Sequence, residues 1–240
     1  MQRSKEDIEH QLEGDILKMK KGVYVGSLKN GRIEGKGSFI YSNGDLFEGN
    51  WQNNKKEGQG TLASQNGYTY KGQWLKDAQN IDEIIIPKRG VYKGETKEFR
   101  QHGKGIFKFV NGSIYNGNFV QGKFEGFGRL TYIEGDEYEG NWFKGNKEGY
   151  GTMKYSDRTI YEGIWLQGAL QFVKKIYYAS GDIYEGEVQI ETVNVTKQGK
   201  GVLTYKNGDR FEGFWENDKQ HGIGREMGKE SMRESGKKEK

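Results

Sequence analysis

Glutamates are the residues of this sequence that recur at a spacing that could support acid–base chemistry. Each follows an aromatic residue and precedes a glycine, and the five are Glu48, Glu139, Glu162, Glu185 and Glu212. A carboxylate pair that cleaves a glycosidic bond is one close couple in a cleft, whereas these side chains occupy the same place in successive segments. We therefore interpret them as part of a solvated strand face.

The three histidines do not form a catalytic pair in the sequence. His102 and His221 both directly precede a Gly-x-Gly motif, at a place that a glutamate takes elsewhere, and His10 stands alone. The Gly-x-Gly motifs are not typical of phosphate loops, because none opens a helix after a buried strand and no Gly-Lys-Ser/Thr follows. There are no cysteines, so disulfides, thiolate nucleophiles and cysteine-ligated zinc are excluded. We predict no catalytic residue, no cofactor and no metal site, and hence that the protein is not an enzyme.

These residues belong to an internal repeat that begins with an aromatic residue, any residue and a glycine. The nine repeats start at Tyr24, Phe47, Tyr70, Tyr92, Tyr115, Tyr138, Tyr161, Tyr184 and Phe211. Numbered from that first aromatic residue, position 3 is always glycine, and position 5 holds all five tryptophans. Positions 12 and 14 carry Gly-x-Gly in most repeats, as in Gly149 and Gly151.

The spacing by two predicts strands, because alternate side chains of a strand point to one face. Apolar position 16 and aromatic position 18 continue the alternation, with polar residues such as Lys108 and Thr131 between them. Asn-Gly follows at Asn43-Gly44, Asn66-Gly67, Asn111-Gly112 and Asn207-Gly208, and it favours a tight hairpin turn into the next repeat. Each repeat is thus predicted to be two strands of one antiparallel meander, in which the glycines leave room for a neighbouring ring.

At these residues the sequence resembles the MORN (membrane occupation and recognition nexus) repeat family. Its pattern is carried here by Tyr138-Glu139-Gly140-Asn141-Trp142 and Gly149-Tyr150-Gly151. The fold expected is an all-β, elongated, single-layer antiparallel β-meander of tandem 23-residue hairpins over residues 24–224. The third, seventh and eighth repeats are atypical and the last is partial. In the third and seventh, Ile84, Ile86, Ile176 and Tyr178 keep the inward positions, and in the eighth we expect a longer loop from Gln189 to Gln198.

Two segments flank the array. Residues 1–23 are expected to cap its first edge or to dock a partner. A helix is predicted over residues 4–19, because Ser4 with Asp7 three residues later is a start signal and Ile8, Leu12, Ile16 and Met19 have helical spacing. The charged stretch 225–240 lacks periodicity and is predicted to be a flexible tail. No apolar run reaches the roughly 20 residues of a membrane span, and we expect a cytoplasmic location.

A single sheet layer cannot bury its own aromatic face, so something else must cover that face unless the sheet curls on itself. We hypothesise that the rings of the most regular repeats contact a partner protein through Tyr115, Phe119, Tyr132, Tyr138, Trp142 and Tyr155. The alternative is that these rings pack only against one another. The binding surface is then expected at Leu170–Val173 and Gln189–Gln198, where the pattern departs from its repeat.

The resemblance implies a structural scaffold that binds other proteins of a multi-subunit cytoskeletal assembly, with ciliary radial-spoke-head proteins as relatives and the axoneme as location. The alternative is a peripheral membrane tether that binds anionic phospholipid. Against it, lysines are interleaved with acids, as in Lys55-Lys56-Glu57, whereas lipid binding needs a basic cluster. The net charge of +4 is too small to demand nucleic acid. Whether the chain forms a homodimer is left open.

Overall fold

The computed structural model describes residues 15–191 and 194–228, which fall into two compact units, an N-terminal one up to Gly122 and a C-terminal one from Lys123. The N-terminal unit contains β1 (Asp15–Met19), β2 (Gly22–Lys29), β3 (Arg32–Tyr41), β4 (Leu46–Gln52), β5 (Lys55–Ala63), β6 (Thr69–Leu75), β7 (Ala78–Ile86), β8 (Gly90–Lys97), β9 (Arg100–Phe109) and β10 (Ile114–Val120). The C-terminal unit contains β11 (Lys123–Thr131), β12 (Glu137–Phe143), β13 (Asn146–Lys154), β14 (Ile160–Leu166), β15 (Ala169–Tyr177), β16 (Ile183–Glu191), β17 (Asn194–Thr204), β18 (Arg210–Glu216) and β19 (Lys219–Met227).

Within each unit every strand pairs antiparallel with the next one in sequence, so the predicted all-β antiparallel meander of tandem hairpins is confirmed. Tyr138 lies opposite Met153 and Gly140 opposite Gly151, which puts the apolar positions of both strands of a repeat on one face. Ile84, Ile86 and Ile176 are buried, and Tyr178 is half-buried, so the atypical repeats keep their inward positions.

The first glycine of Gly-x-Gly sits at a bulge in the pairing of the two strands of a repeat. Gly149 has φ +69°, and the pairing of β12 with β13 shifts between Gly140 and Trp142. A side chain rarely adopts such a φ, which accounts for glycine at this position. In the seventh repeat, which lacks the motif, two separate irregularities between β14 and β15 replace the single bulge.

The turns correct one expectation. In the repeats other than the eighth, the two-residue tight turns lie inside the repeat, as at Lys144-Gly145 with φ of +50° and +93°, which is the φ > 0 pair of a type I′ turn. The Asn-Gly pairs instead sit in longer loops between repeats, where the Gly44 N–H donates to Tyr41 O and the Asn43 Oδ1 accepts from the Asp45 N–H. Asparagine therefore closes an Asx turn there, and it does not supply a left-handed φ.

Three boundaries also differ from the sequence expectation. The helix expected over residues 4–19 is wrong for its last part, because Asp15–Met19 form β1 and pair with β2; Ser4, Ile8 and Leu12 lie outside the described residues. Strand β19 continues to Met227, so the start of the predicted tail is part of the sheet. The expected loop Gln189–Gln198 is mostly strand, since β16 and β17 pair as far as Glu191 and Asn194. Edge backbone groups gain partners in a sheet, which favours strand over helix or loop.

Candidate functional site

The aromatic residues at positions 1 and 5 share one face of the sheet, called here the ring face, and they pack against one another across repeats. Tyr138 lies 5.2 Å from Trp142 of its own repeat and 5.1 Å from Trp165 of the next, both edge-on. Tyr24 with Trp51 and Tyr184 with Trp215 repeat this contact at 5.5 Å. Edge-to-face pairs at these distances are attractive beyond the area they bury. The ring face is therefore a continuous core within each unit.

Glycine makes this packing fit. A Cβ built on Gly140 would lie 2.6 Å from the Tyr138 hydroxyl oxygen, and one on Gly151 would lie 2.5 Å from it. The tyrosine ring thus lies directly over the paired glycines, as the expected room for a ring requires. Its hydroxyl donates to Asn141 O at 3.1 Å, and the Trp142 indole N–H donates to Gly128 O at 3.0 Å. These bonds satisfy the polar atoms of buried rings.

A lysine from the second strand covers the rings at three repeats. The Lys147 Nζ lies 5.3 Å from the centroid of Tyr132 and 4.7 Å from that of Tyr138. Burial lowers the pKa of Lys147, while the nearby negative charge of Asp136 partly offsets this effect. Lys56 and Lys197 make the same kind of contact over their rings. These three lysines, each from a different repeat, cover the aromatic core through cation–π contacts.

The structure corrects most of the predicted contact residues. Tyr115, Phe119, Tyr138 and Trp142 are between 0 and 5% exposed, so a partner would not reach them in this structure. Tyr132 and Tyr155 are half-buried on the same face, and burial raises the pKa of both hydroxyls. The physical reason is the packing of each ring against the next repeat, which lets the sheet bury its own aromatic face. This agrees with the alternative interpretation, in which the rings are core.

The acidic residues before Gly-x-Gly have a structural role that the sequence did not reveal. Glu125 and Glu148 accept hydrogen bonds at 3.0 Å from the backbone N–H of Lys144 and Gln167, each in the tight turn of the next repeat. Gln198 does the same for Asn217 at 3.1 Å. Acceptor and donor are 19 residues apart in all three cases. The recurrence of Glu or Gln directly before Gly-x-Gly was the feature of the sequence that could have indicated this role. The carboxylates thus link neighbouring hairpins.

The described residues contain neither a group of side chains that could bind a metal ion nor a membrane-spanning helix. Over residues 15–191 and 194–228, no group of three or more His, Asp or Glu side chains could hold a metal ion. The Nδ1 atom of the exposed His221 lies 3.4 Å from Oε2 of Glu216, and His10 lies outside the described residues. In that same part of the chain, no helix is long and apolar enough to span a bilayer.

A cluster of exposed apolar side chains lies on the face opposite to the rings, in the C-terminal unit. These side chains are between 39 and 57% exposed, and we call them the exposed patch: Phe127, Phe143, Tyr150, Ile164, Leu166 and Phe172. Ile164 lies directly opposite both Tyr150 and Phe172, and Phe127 lies opposite Asn141. The cluster therefore runs across five consecutive strands, β11 to β15. Phe172 lies in one of the two segments that the alternative interpretation named.

Some of the equivalent places in the N-terminal unit are polar, although Leu75 and Val120 stand there where Phe143 and Leu166 stand in the exposed patch. The residue between the two glycines of Gly-x-Gly is Lys36, Gln59 or Lys104 there, whereas it is Phe127 or Tyr150 in the exposed patch. A shallow depression of about 530 Å³ on this polar face is lined by Lys36, Asn50, Gln59 and their neighbours. Because those repeats fold with a polar residue between the two glycines, the rings of Phe127 and Tyr150 are not needed for the fold.

Comparison with solved structures gives remote similarities. The TCP10 domain of Danio rerio CPAP in complex with a STIL peptide is 11% identical, with a TM-score of 0.48 over 80% of this chain and 83% of that one. The TCP domain of Drosophila melanogaster SAS-4, in complex with a proline-rich motif of Ana2, is 11% identical, with a TM-score of 0.38 over 73% and 81%. TM-scores below 0.5 do not establish a shared fold. No curated protein sequence matches this chain significantly.

The family model of the MORN repeat matches most of the periodic segments. The matched segments are residues 24–46, 47–67, 100–114, 115–137, 138–160, 196–210 and 211–229. Together they cover more than half of the chain. The unmatched stretches 68–99 and 161–195 contain the third and seventh repeats and the first part of the eighth, which depart from the pattern. By its repeats and by its hairpin structure, this chain belongs to the MORN repeat family.

Proposed function

We propose that this chain is a non-catalytic scaffold that binds other proteins, and that the exposed patch is the surface through which it does so. One observation carries the proposal: six large apolar side chains are exposed together on five neighbouring strands, while most aromatic residues of the ring face are buried. Contiguous apolar surface on a folded protein marks an interaction site, and tyrosine and phenylalanine are residues enriched in interfaces.

The charges around the exposed patch support a protein partner over an anionic membrane. Arg129 is paired with Glu139 at 2.8 Å, and Lys175 with Glu185 at 3.0 Å. Binding to anionic lipid rests on a cluster of unpaired basic residues. Two further lysines beside the patch, Lys144 and Lys174, lie over the Phe143 and Tyr150 rings, with Nζ 4.8 and 5.9 Å from the ring centroids. The basic residues here are thus divided between acidic partners and aromatic rings, and a polar surround of an apolar surface is typical of the rim of a protein interface.

Quantitative affinity purification from the native source tests the proposal. The double variant Tyr150→Ser/Phe172→Ser removes two rings of the exposed patch, and Gln59→Ser/Asn80→Ser changes the equivalent exposed places of the N-terminal unit as a matched control. We expect the patch variant to recover at least tenfold less of the co-purifying proteins, with unchanged circular dichroism, and the control to recover the wild-type amount. Equal recovery by both variants would contradict the proposal, as would binding only to vesicles of anionic phospholipid.

We further propose that the assembly is cytoskeletal and ciliary, as the resemblance to radial-spoke-head proteins implies. If so, the tagged protein stays with axonemes after detergent removes the ciliary membrane. Release with the detergent-soluble fraction would favour the membrane-tether alternative, and absence from cilia would refute the ciliary location while leaving the scaffold role to the purification above.

A further inference from the structure

The rings of the exposed patch are regularly spaced. Phe127 lies on β11, Tyr150 on β13 and Phe172 on β15, so each ring is two strands from the next. Neighbouring strands of a sheet are about 4.8 Å apart, which places successive rings roughly 9.6 Å apart along a line across the strands. Asn141 on β12 and Ile164 on β14 fill the places between them. We call these three aromatic residues the ring row.

A polyproline II helix has a matching period. It has three residues per turn and a rise of about 3.1 Å per residue, so every third side chain returns to the same side after roughly 9.3 Å. A segment of this conformation laid across the strands would meet one ring per turn. An extended β-strand repeats on one side every two residues, after roughly 6.7 Å, and it would meet the rings out of step.

The polar groups of the ring row also suit a chain of this kind. Proline has no backbone N–H, so a proline-rich segment offers only carbonyl acceptors and needs donors from its partner. The exposed Asn141 amide has two N–H donors, and the one hydrogen bond it makes, to Tyr150 O, is long at 3.4 Å. The Tyr150 and Tyr177 hydroxyls both donate to Glu162, at 3.2 and 3.1 Å, so this carboxylate beside the row already has two hydrogen-bond donors.

Charge does not favour a strongly charged occupant. The residues beside the row form the pairs Arg129–Glu139 and Lys175–Glu185, and Lys174 lies 5.9 Å from the centroid of the Tyr150 ring. With Glu162, which accepts from the Tyr150 hydroxyl, the groups beside the row are of both signs, so neither an acidic nor a basic peptide meets a field of one sign here. Rigid, neutral aromatic surface is what proline-rich segments bind, because their preformed helix loses little entropy on docking.

We propose that the ring row of Phe127, Tyr150 and Phe172 is a docking site for a proline-rich segment of a partner protein in the polyproline II conformation. The segment lies across strands β11 to β15, with one ring contacted per turn. This inference rests on the proposed scaffold function, and it names the chemistry of the partner. Contact with all three rings requires about seven residues, since the outer rings are roughly 19 Å apart.

Fluorescence anisotropy with labelled oligoprolines and the full chain tests the proposal. Decaproline spans all three rings, whereas pentaproline spans two, so we expect decaproline to bind at least tenfold more tightly. A ten-residue Ser-Gly peptide is the control for length and should not bind. Tyr150→Ala and Phe172→Ala should each weaken decaproline binding at least tenfold, with Gln73→Ala as the control that leaves it unchanged. Circular dichroism and melting temperature confirm that these exposed substitutions leave the fold intact.

Several outcomes would overturn the inference. Equal binding of the Ser-Gly peptide, equal affinity of pentaproline and decaproline, or insensitivity to both ring variants would each exclude ring-by-turn recognition. If sedimentation velocity shows that the wild type is a dimer and the Tyr150→Ala variant is a monomer, the occupant of the ring row is a second copy of the chain. If decaproline does not bind while protein capture still depends on Tyr150 and Phe172, the partner class is wrong and the scaffold function stands. If both fail, neither proposal holds.

Discussion

Substitution of Gly151 by alanine tests the packing on which the ring face depends. The new Cβ would lie 2.5 Å from the hydroxyl oxygen of Tyr138 and 2.7 Å from two of its ring carbons, against 3.4 Å or more for an ordinary contact. The tyrosine cannot move freely, because Trp142 and Trp165 lie edge-on at 5.2 and 5.1 Å. The ring, its hydroxyl bond or the backbone pairing with Gly140 must therefore give way.

The size of the effect follows from three contributions. Overpacking of a well-packed core costs about 1–3 kcal/mol. Loss of the bond from the Tyr138 hydroxyl to Asn141 O costs about 1 kcal/mol. Alanine loses less backbone entropy on folding than glycine, which returns about 0.4–1 kcal/mol. We expect the local free energy of unfolding to fall by about 2–3 kcal/mol, which speeds amide exchange roughly 30- to 150-fold, since about 1.4 kcal/mol is tenfold.

Native-state hydrogen exchange measures this change strand by strand. The loss of protection should be largest in β12, β13 and β14 and absent in β18 and β19, because a repeat contacts mainly its neighbours. Gly145→Ala is the control: nothing lies within 4 Å of its Cβ, but its φ of +93° disfavours alanine. It should lose only about 1–2 kcal/mol, at the turn. In a Tyr138→Leu background Gly151→Ala should cost almost nothing. A larger effect at Gly145, or unchanged exchange in Gly151→Ala, would refute the reasoning.

Three further outcomes are expected. Burial raises the pKa of Tyr92 and Tyr138 to about 12, so their contribution to stability is complete below pH 10 and is lost as the pH rises from 10 through 12; if the folded Tyr138→Phe variant shows less tyrosinate absorbance near pH 10 than the folded wild type, Tyr138 ionises there and the expectation is contradicted. Trp142→Phe keeps a ring but loses the bond to Gly128 O, so the free energy of opening in β11 to β13 should fall by about 1–2 kcal/mol by hydrogen exchange, and an unchanged value would mean the bond contributes nothing. Glu148→Ala should speed exchange of the Gln167 amide severalfold, whereas Glu148→Gln should not, because Gln198 already performs this role for Asn217; equal rates in the two variants would refute the role.

The sequence predicts the strands and their register well, because both are local properties. Tyr138, Gly140 and Trp142 alternate within one strand, and the same alternation recurs in each repeat. The pairing of Gly140 with Gly151 follows from two strands joined by a two-residue turn. The position of that turn was less evident, because Lys144-Gly145 is a weaker turn signal than Asn-Gly.

Which face is buried and which is exposed, and hence the proposed binding face, could not be predicted from the sequence, because burial depends on contacts between repeats. Whether Tyr138 is core or interface is decided by Trp165, 27 residues away, whose ring covers it. The exposed patch was detectable in principle, since Phe127 and Tyr150 stand where Lys36 and Gln59 stand in earlier repeats. Strand β1 was missed because Ile16 and Met19 have helical spacing, while the backbone partners that β2 offers to this segment are not visible in its own residues.

Site-specific photo-crosslinking in the native cell tests the central claim, that the exposed patch is a protein-binding surface, most directly. A photoreactive phenylalanine replaces Ile164, between Tyr150 and Phe172, and in a second version it replaces Gln73, the equivalent exposed residue of β6. We predict a covalent adduct with another protein at position 164 and little or none at position 73. Equal adducts at both positions, or none at position 164 when the protein is assembled in the cell, would contradict the account.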